Sequence, residues 1–222
     1  MTESIIYSHS RLFDNISRHD AGLLLNCLDA HMKTYSKGEF ILSAGDTTHR
    51  LYFIEKGSVH IVKDDFWGNR TILSEASCGN IFGETYACLD SQPLEVSVVS
   101  CGDTTITSLD MRKIMDPCIS SCGFHLTFIR NLITIMAARN LFLTQKIEHV
   151  TRRTTREKLL SYLSQESRRH GSRSFSIPFN RHEMADYLAV DRSAMSKELG
   201  KLRDEGILEF KKNSFTLHKL PE

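Results

Sequence analysis

The chain alternates between two textures of apolar and polar positions. Between residues 12 and 32, Leu12, Phe13, Ile16, Leu23, Leu24, Leu25 and Leu28 fall on a helical period, so this spacing predicts a helix. From Lys33 to about Asp110 the period shortens. Apolar runs such as "EFILSAGD", "RLYFIEKGSVHIVK", "GNIFGE" and "LEVSVVSCGDTTITSLD" alternate with glycines at 38, 45, 57, 68, 79, 83 and 102. Many short strands at near-regular spacing predict an antiparallel sandwich or barrel. "WGN" at 67 to 69 predicts a hairpin turn.

Pro117 ends the strands, and a long helical pattern runs from Cys122 to about His149. One stripe reads Leu126, Ile129, Ile133, Met136, Asn140, Leu143, Ile147, a heptad seam; a second reads Phe128, Leu132, Ile135, Arg139, Phe142. Two apolar stripes need two partners: the strand domain, and a second copy of the same helix. A helix buried within one monomer would also carry two stripes, but the regular heptad steps favour the dimer. A lone Asn140 in the seam suits a register-fixing role. Beyond His149 the pattern predicts a helix over about Thr154 to Ser167, then a loop "RRHGSRSFSIPF" and two short helices. "ILEF-KKNS-FTLHK" ends the chain as two strands joined by a polar turn.

The two short helices carry the candidate chemistry. "FNRHEMADYLAVDRSAMSKELGKL", residues 179 to 202, has the layout of a helix–turn–helix. Asn180 and Glu183 form an Asn-x-x-Glu start, in which each side chain satisfies an amide of the other residue. "LAV" turns the chain, and Asp191 is placed to cap the second helix. At 100° per residue, Met195, Leu199 and Leu202 fall within about 60° of one another. Ser193, Ser196 and Lys197 lie opposite them, with Arg192 on the flank. Such a helix buries one stripe and offers its first turn outward, where Arg and Lys can reach guanine edges and Ser can meet bases or phosphates. Two features count against DNA. Ala189 stands in a turn that often needs glycine, and Asp191, Glu198, Asp204 and Glu205 would repel phosphates unless they point away. An amphipathic helix pair alone is structural more often than not; the strand pair that follows resembles a wing and tips the reading to DNA.

Charge adds to this. The net charge of +1 hides an asymmetry: His149 to Glu222 holds 15 Lys and Arg against 10 Asp and Glu, net +5, and the rest is net −4. A basic end favours a phosphate backbone. No run of eighteen apolar residues and no basic-then-apolar start are present, so neither a membrane span nor a secretory signal is expected. Six cysteines scattered from 27 to 122 suit reduced thiols in a cytoplasmic protein.

Taken in order, these segments resemble the Crp/Fnr superfamily of bacterial transcription regulators over nearly the whole chain. The resemblance implies an α+β fold: an effector-sensing antiparallel β-roll over 1–116, a dimerisation helix over 117–150 and a winged helix–turn–helix over 151–222. It implies a homodimer on a palindromic duplex operator, RNA polymerase as a partner if the protein activates, and an effector held between roll and long helix. Thr151 to Arg153 would sit in the hinge. The family's base- and phosphate-contacting positions fall on Arg192, Ser193, Ser196 and Lys197, with Ser193 where a glutamate is frequent.

The effector residues implied are Phe82, Gly83, Glu84, Leu94, Glu95, Arg139 and Asn140. Cyclic-nucleotide binders of the family carry an Arg-Ser pair where this chain reads Leu94-Glu95. A cyclic phosphate would lose its counter-charge there, at about 1.5–3 kcal/mol per charge-assisted hydrogen bond. Cyclic AMP is therefore not the expected effector. An iron–sulfur cluster is not expected either, because only Cys27 lies in the first 70 residues. Cys118 and Cys122, four apart, can share a helix face and a metal, but small-hydrophobe packing is the plainer role; Cys78, Cys88 and Cys101 lie in the roll, where any one could bear a redox-sensing thiol, and nothing in the sequence singles one out. Haem stays open as a gas-sensing alternative, although His9, His31, His60 and His125 show no diagnostic spacing. A cupin-like enzyme is not expected, since no His-x-His metal pair or activated nucleophile occurs. A dimeric sensor that never touches DNA would leave the basic C-terminal end without a purpose.

Overall fold

The computed structural model describes residues 10–67, 70–89, 92–116 and 123–218. His9, Cys118, Cys122 and the Gly68-Asn69 part of the expected hairpin turn lie outside them. The chain divides into two compact units, Met1–Met136 and Ala137–Glu222, with the division inside the long helix.

The N-terminal unit opens on a 3-10 turn, Arg11–Phe13, and a helix α1, Arg18–Cys27. One continuous helix over 12 to 32 is thus corrected to two short pieces and a strand. Ser10 and Ser17 cap separate starts, and Asn15 and Asp29 take left-handed backbone, which stops a helix. Arg50 fixes the exit from α1. Its guanidinium donates to the Asp29 carboxylate at 3.1 Å and to the Ser108 carbonyl at 3.0 Å.

Eight strands follow: β1 His31–Tyr35, β2 Phe40–Leu42, β3 Arg50–Lys56, β4 Ser58–Asp64, β5 Arg70–Ser77, β6 Ile81–Phe82, β7 Ser97–Ser100 and β8 Thr104–Asp110. They form two four-stranded sheets of antiparallel neighbours, β1-β8-β3-β6 and β2-β7-β4-β5. β3 shows why the sheets hold together. Leu51 and Phe53 face one way, into a core with Leu12, Phe13, Leu24 and Leu28. Ile54 faces the other way, into the roll interior with Val59, Val98 and Ile106. Alternation along one strand therefore serves two cores at once. Two short helices, α2 Glu84–Cys88 and α3 Met111–Met115, complete the roll.

The long helix α4 runs from Gly123 to Val150. Phe128 and Leu132 are buried in the core shared with the N-terminal helices, and Asn131 donates to the carbonyls of Leu12 and Asp14 at 3.1 and 2.8 Å. On the other stripe Leu126, Ile133, Leu143 and Ile147 are each half or more exposed. By length and composition alone α4 reaches the threshold for crossing a membrane, contrary to the expectation of no span, although it holds no unbroken run of eighteen apolar residues. Its Phe128–Leu132 face instead closes a protein core.

In the C-terminal unit, α5 (Thr155–His170) starts at a capping box between Thr154 and Glu157 and stops at left-handed Gly171. α6 (Arg181–Leu188) and α7 (Arg192–Asp204) follow. The expected loop at 168–179 is corrected. Its first residues extend α5, and Ser174–Ser176 form strand β9. β9 pairs with β11 (Ser214–Leu217), which pairs with β10 (Leu208–Lys211), giving the order β10-β11-β9. Phe175 lies inward against Phe215, with ring centroids 6.3 Å apart. The core joins Leu159, Leu163, Met184, Leu188, Met195, Leu199, Leu202 and Leu208, all essentially inaccessible.

Candidate nucleic-acid interface

α6, its turn and α7 realise the helix–turn–helix layout. Asn180 accepts the amides of His182 and Glu183 at 2.8 and 3.0 Å, and Glu183 accepts the Asn180 amide at 2.7 Å. At the far end Ala189 sits at φ 50°, the left-handed region where alanine is strained on the order of 1 kcal/mol relative to glycine. The turn holds because its carbonyls find a cation. Lys158, from the start of α5, donates to Leu188 and Ala189 at 3.3 and 3.2 Å.

α7 begins at Asp191, whose carboxylate accepts the Ser193 hydroxyl at 2.5 Å and the Ala194 amide at 2.8 Å. Those two bonds favour the ionised carboxylate and lower its pKa from the usual value. Met195, Leu199 and Leu202 are fully buried, each worth roughly 1.5–3 kcal/mol. The opposite face puts Arg192, Ser193, Ser196 and Lys197 in solvent. Structure thus brings the four expected residues onto one exposed turn. Ser193 is engaged with Asp191, and Ser196 donates to the Arg192 carbonyl at 2.9 Å, so both hydroxyl protons are used within the helix. Their oxygens remain able to accept, while Arg192 and Lys197 supply the donors.

The acidic residues of α7 turn out to be structural. Glu198 and Glu205, seven apart on one face, both pair with Arg156 of α5; Glu198 also meets Lys201 at 3.3 Å. Their carboxylates are spent on docking α7 to α5. Asp191 is the cap, and Asp204 meets Arg203 at 3.1 Å. Sequence reasoning missed Arg156 and Lys158, although the seven-residue spacing of two glutamates hinted at one buried-side cation. It also missed Arg181, stacked over Phe210 and Phe215 at 4.9 and 5.1 Å; burial lowers its pKa. His149, at the end of α4, was missed as well. It is buried, meets the Ser161 hydroxyl at 2.9 Å and lies edge-on to Tyr162. Burial pushes its pKa below the usual histidine value, only partly opposed by Glu148.

In the roll, Phe82 stacks on Tyr52 at 5.1 Å and Gly83 opens α2 at φ 79°. A Cβ at Gly83 would lie 2.8 Å from the Tyr52 ring, so glycine is required on both counts. Glu84 is buried at the first position of α2. Leu94 is 3% exposed and packs inside the roll with Phe82, Leu42 and Val98. Its backbone is tied to Gly45 and Asp46 by two 2.8 Å bonds. Glu95 does not join this group, contrary to its expected place. Leu94 and Glu95 precede β7, with a bend at Glu95, and Glu95 lies in solvent, paired with Lys63 at 3.4 Å. Arg139 and Asn140 are exposed on the part of α4 that belongs to the C-terminal unit, where Thr144 donates to the Asn140 carbonyl at 3.0 Å. Of the histidines considered for haem, His31 meets Asp29 at 3.2 Å, and His125 is buried against the Ile114 carbonyl. Cys78 donates to the Glu55 carbonyl.

A two-sheet roll is followed in sequence by a long helix and a winged helix–turn–helix. Family comparisons give this arrangement its name. A cyclic nucleotide-binding domain model matches residues 32–119 and a Crp-like helix-turn-helix domain model matches 157–222. The chain belongs to the Crp/Fnr family. It is 37% identical over 67 residues to the cAMP-activated global transcriptional regulator Vfr of Pseudomonas aeruginosa, covering 30% of each chain. Vfr and a second curated relative are matched over only 30% and 32% of their lengths. Among solved structures, CprK complexed with OCPA aligns with a TM-score of 0.61 at 14% identity, over 89% of this chain and 90% of that one. The c-di-GMP responsive regulator CLP of Xanthomonas campestris aligns with a TM-score of 0.52 at 18% identity, over 90% and 100%. At such identities both show the shared fold.

Proposed function

We propose that the chain is a homodimeric, sequence-specific DNA-binding transcription regulator. Its grip on a palindromic operator is set by a small-molecule or redox effector other than cyclic AMP. The observation that carries the DNA reading is the first turn of α7: Arg192 and Lys197 exposed beside two serines, on a helix whose apolar stripe is buried and whose Glu198 and Glu205 are paired with Arg156. The pairing of Glu198 and Glu205 with Arg156 removes the main electrostatic objection to a phosphate surface. The half-exposed heptad stripe of α4 is the surface offered to a second copy.

The effector reading rests on Leu94. An apolar side chain buried in the roll interior offers a cyclic phosphate no counter-charge, and Glu95 faces away from that interior. Calorimetry tests it: no micromolar cyclic AMP binding is expected, and such binding would refute the assignment. For DNA, Arg192→Ala should cost about 1–3 kcal/mol on the preferred site and relax specificity at one base pair. Lys197→Ala should weaken all duplexes alike and flatten the salt slope by about one unit. Unchanged affinity in both variants would remove α7 from the interface.

A further inference from the structure

We propose that the outer face of the sheet β2-β7-β4-β5 carries a divalent metal site of the zinc class, with His60, Glu75 and Cys101 as ligands. His60 on β4 stands directly opposite Glu75 on β5. Val59 and Ile61, its neighbours, belong to the roll interior, so His60 faces outward. Cys101 is the first residue after β7, and its amide donates to the Ser58 carbonyl at 3.0 Å, which holds it beside β4. One imidazole nitrogen, one carboxylate oxygen and one thiol sulfur all lie within 4.8 Å of one another.

An ordinary cross-strand ion pair explains these positions less well. His60 Nε2 and Glu75 Oε2 are 3.9 Å apart, too far for a direct hydrogen bond. Such a pair also gives no reason for a thiol alongside. Zinc bonds of about 2.0–2.3 Å in a tetrahedral arrangement put neighbouring donor atoms roughly 3.4–3.6 Å apart. The group therefore has to close by up to about 1.3 Å, which side-chain rotation of His60 and Glu75 supplies, since both reach solvent (side chains 35% and 59% exposed). A nitrogen, oxygen and sulfur set suits a borderline ion rather than magnesium or calcium. Three protein ligands leave the fourth position for water. On binding, the Cys101 thiol gives its proton to solvent and the thiolate forms the metal–sulfur bond, so affinity rises with pH. The ion ties β4, β5 and the segment after β7 together. It binds the folded roll and not the unfolded chain, so it raises the melting temperature.

The test uses full-length, reduced protein stripped with chelator and titrated with Co2+, then Zn2+. A 1:1 cobalt complex with tetrahedral visible bands and a near-ultraviolet thiolate-to-cobalt band is expected, displaced by zinc. Cys101→Ser should lose the thiolate band, and His60→Ala should weaken binding by roughly 100-fold or more, beyond the loss of an outer-sphere partner. Both changes sit at the roll surface, and circular dichroism checks that each variant folds. Three results would overturn the proposal: no stoichiometric complex, a thiolate band that survives Cys101→Ser, or affinity unchanged in His60→Ala. None of these readouts involves DNA, so the outcome is independent of the regulator reading.

Discussion

Single residues in the C-terminal unit carry more than their sequence neighbourhoods suggest. Ala189 holds a left-handed backbone at φ 50°, and Lys158 compensates by binding the two carbonyls at that turn. Ala189→Gly should therefore stabilise the unit by up to about 1 kcal/mol, read as a higher midpoint in chemical denaturation. An unchanged or lower midpoint would mean that Lys158 already removes the strain. His149 offers a second test. Its pKa is lowered in the fold by burial, so the unfolded chain binds the extra proton first. Its contribution is intact above the ordinary histidine value of about 6.5 and is lost as pH falls from there through the lower folded value. His149→Gln, which keeps a hydrogen-bonding partner for Ser161, should flatten the fall in stability as pH drops below the ordinary histidine value of about 6.5. A pH profile that matches the parent protein would assign that sensitivity to another group.

At the scale of elements, periodicity was read well where one face of an element is buried and poorly where the backbone itself decides. The long helix α4, the helix–turn–helix and the wing strands β10 and β11 all carry strong side-chain periods, and the structure shows each of them; of the heptad stripe, Ile129 and Met136 pack against the N-terminal core. The errors fall at 12 to 32 and 168 to 179. In the first, the left-handed Asn15 and Asp29 break a run whose apolar spacing still looks helical. In the second, β9 is only three residues long and is held by its neighbour β11 rather than by its own pattern. At Leu94 and Glu95 no side-chain period was available to read: both precede β7, and a bend leaves Leu94 in the roll interior and Glu95 in solvent beside Lys63. The exposed stripe of α4 makes its own prediction. Ile133→Glu puts a charge into the seam while leaving the Phe128 and Leu132 face untouched. Light scattering should find the parent chain as a dimer and the variant as a folded monomer. A variant that stays dimeric at low concentration would place the interface elsewhere.

For the whole molecule, the order of parts was legible from sequence, because each part has its own period and punctuation. Two things were not. The ion pairs that dock α7 through Arg156 join residues more than 40 positions apart, and no local pattern announces them. The outward group of His60, Glu75 and Cys101 depends on strand register, which sequence spacing does not give. The central claim is that α7 presents a DNA-reading surface. It is tested most directly by incubating the dimer with a pool of random duplexes at low salt, in the presence and absence of candidate small-molecule effectors, and sequencing what is retained. The expected result is enrichment of a two-fold symmetric site, with half-sites about one helical turn, roughly 34 Å, apart. That enrichment should be lost in Arg192→Ala. Retention of no duplex under any of these conditions, or enrichment that persists unchanged in Arg192→Ala, would contradict it.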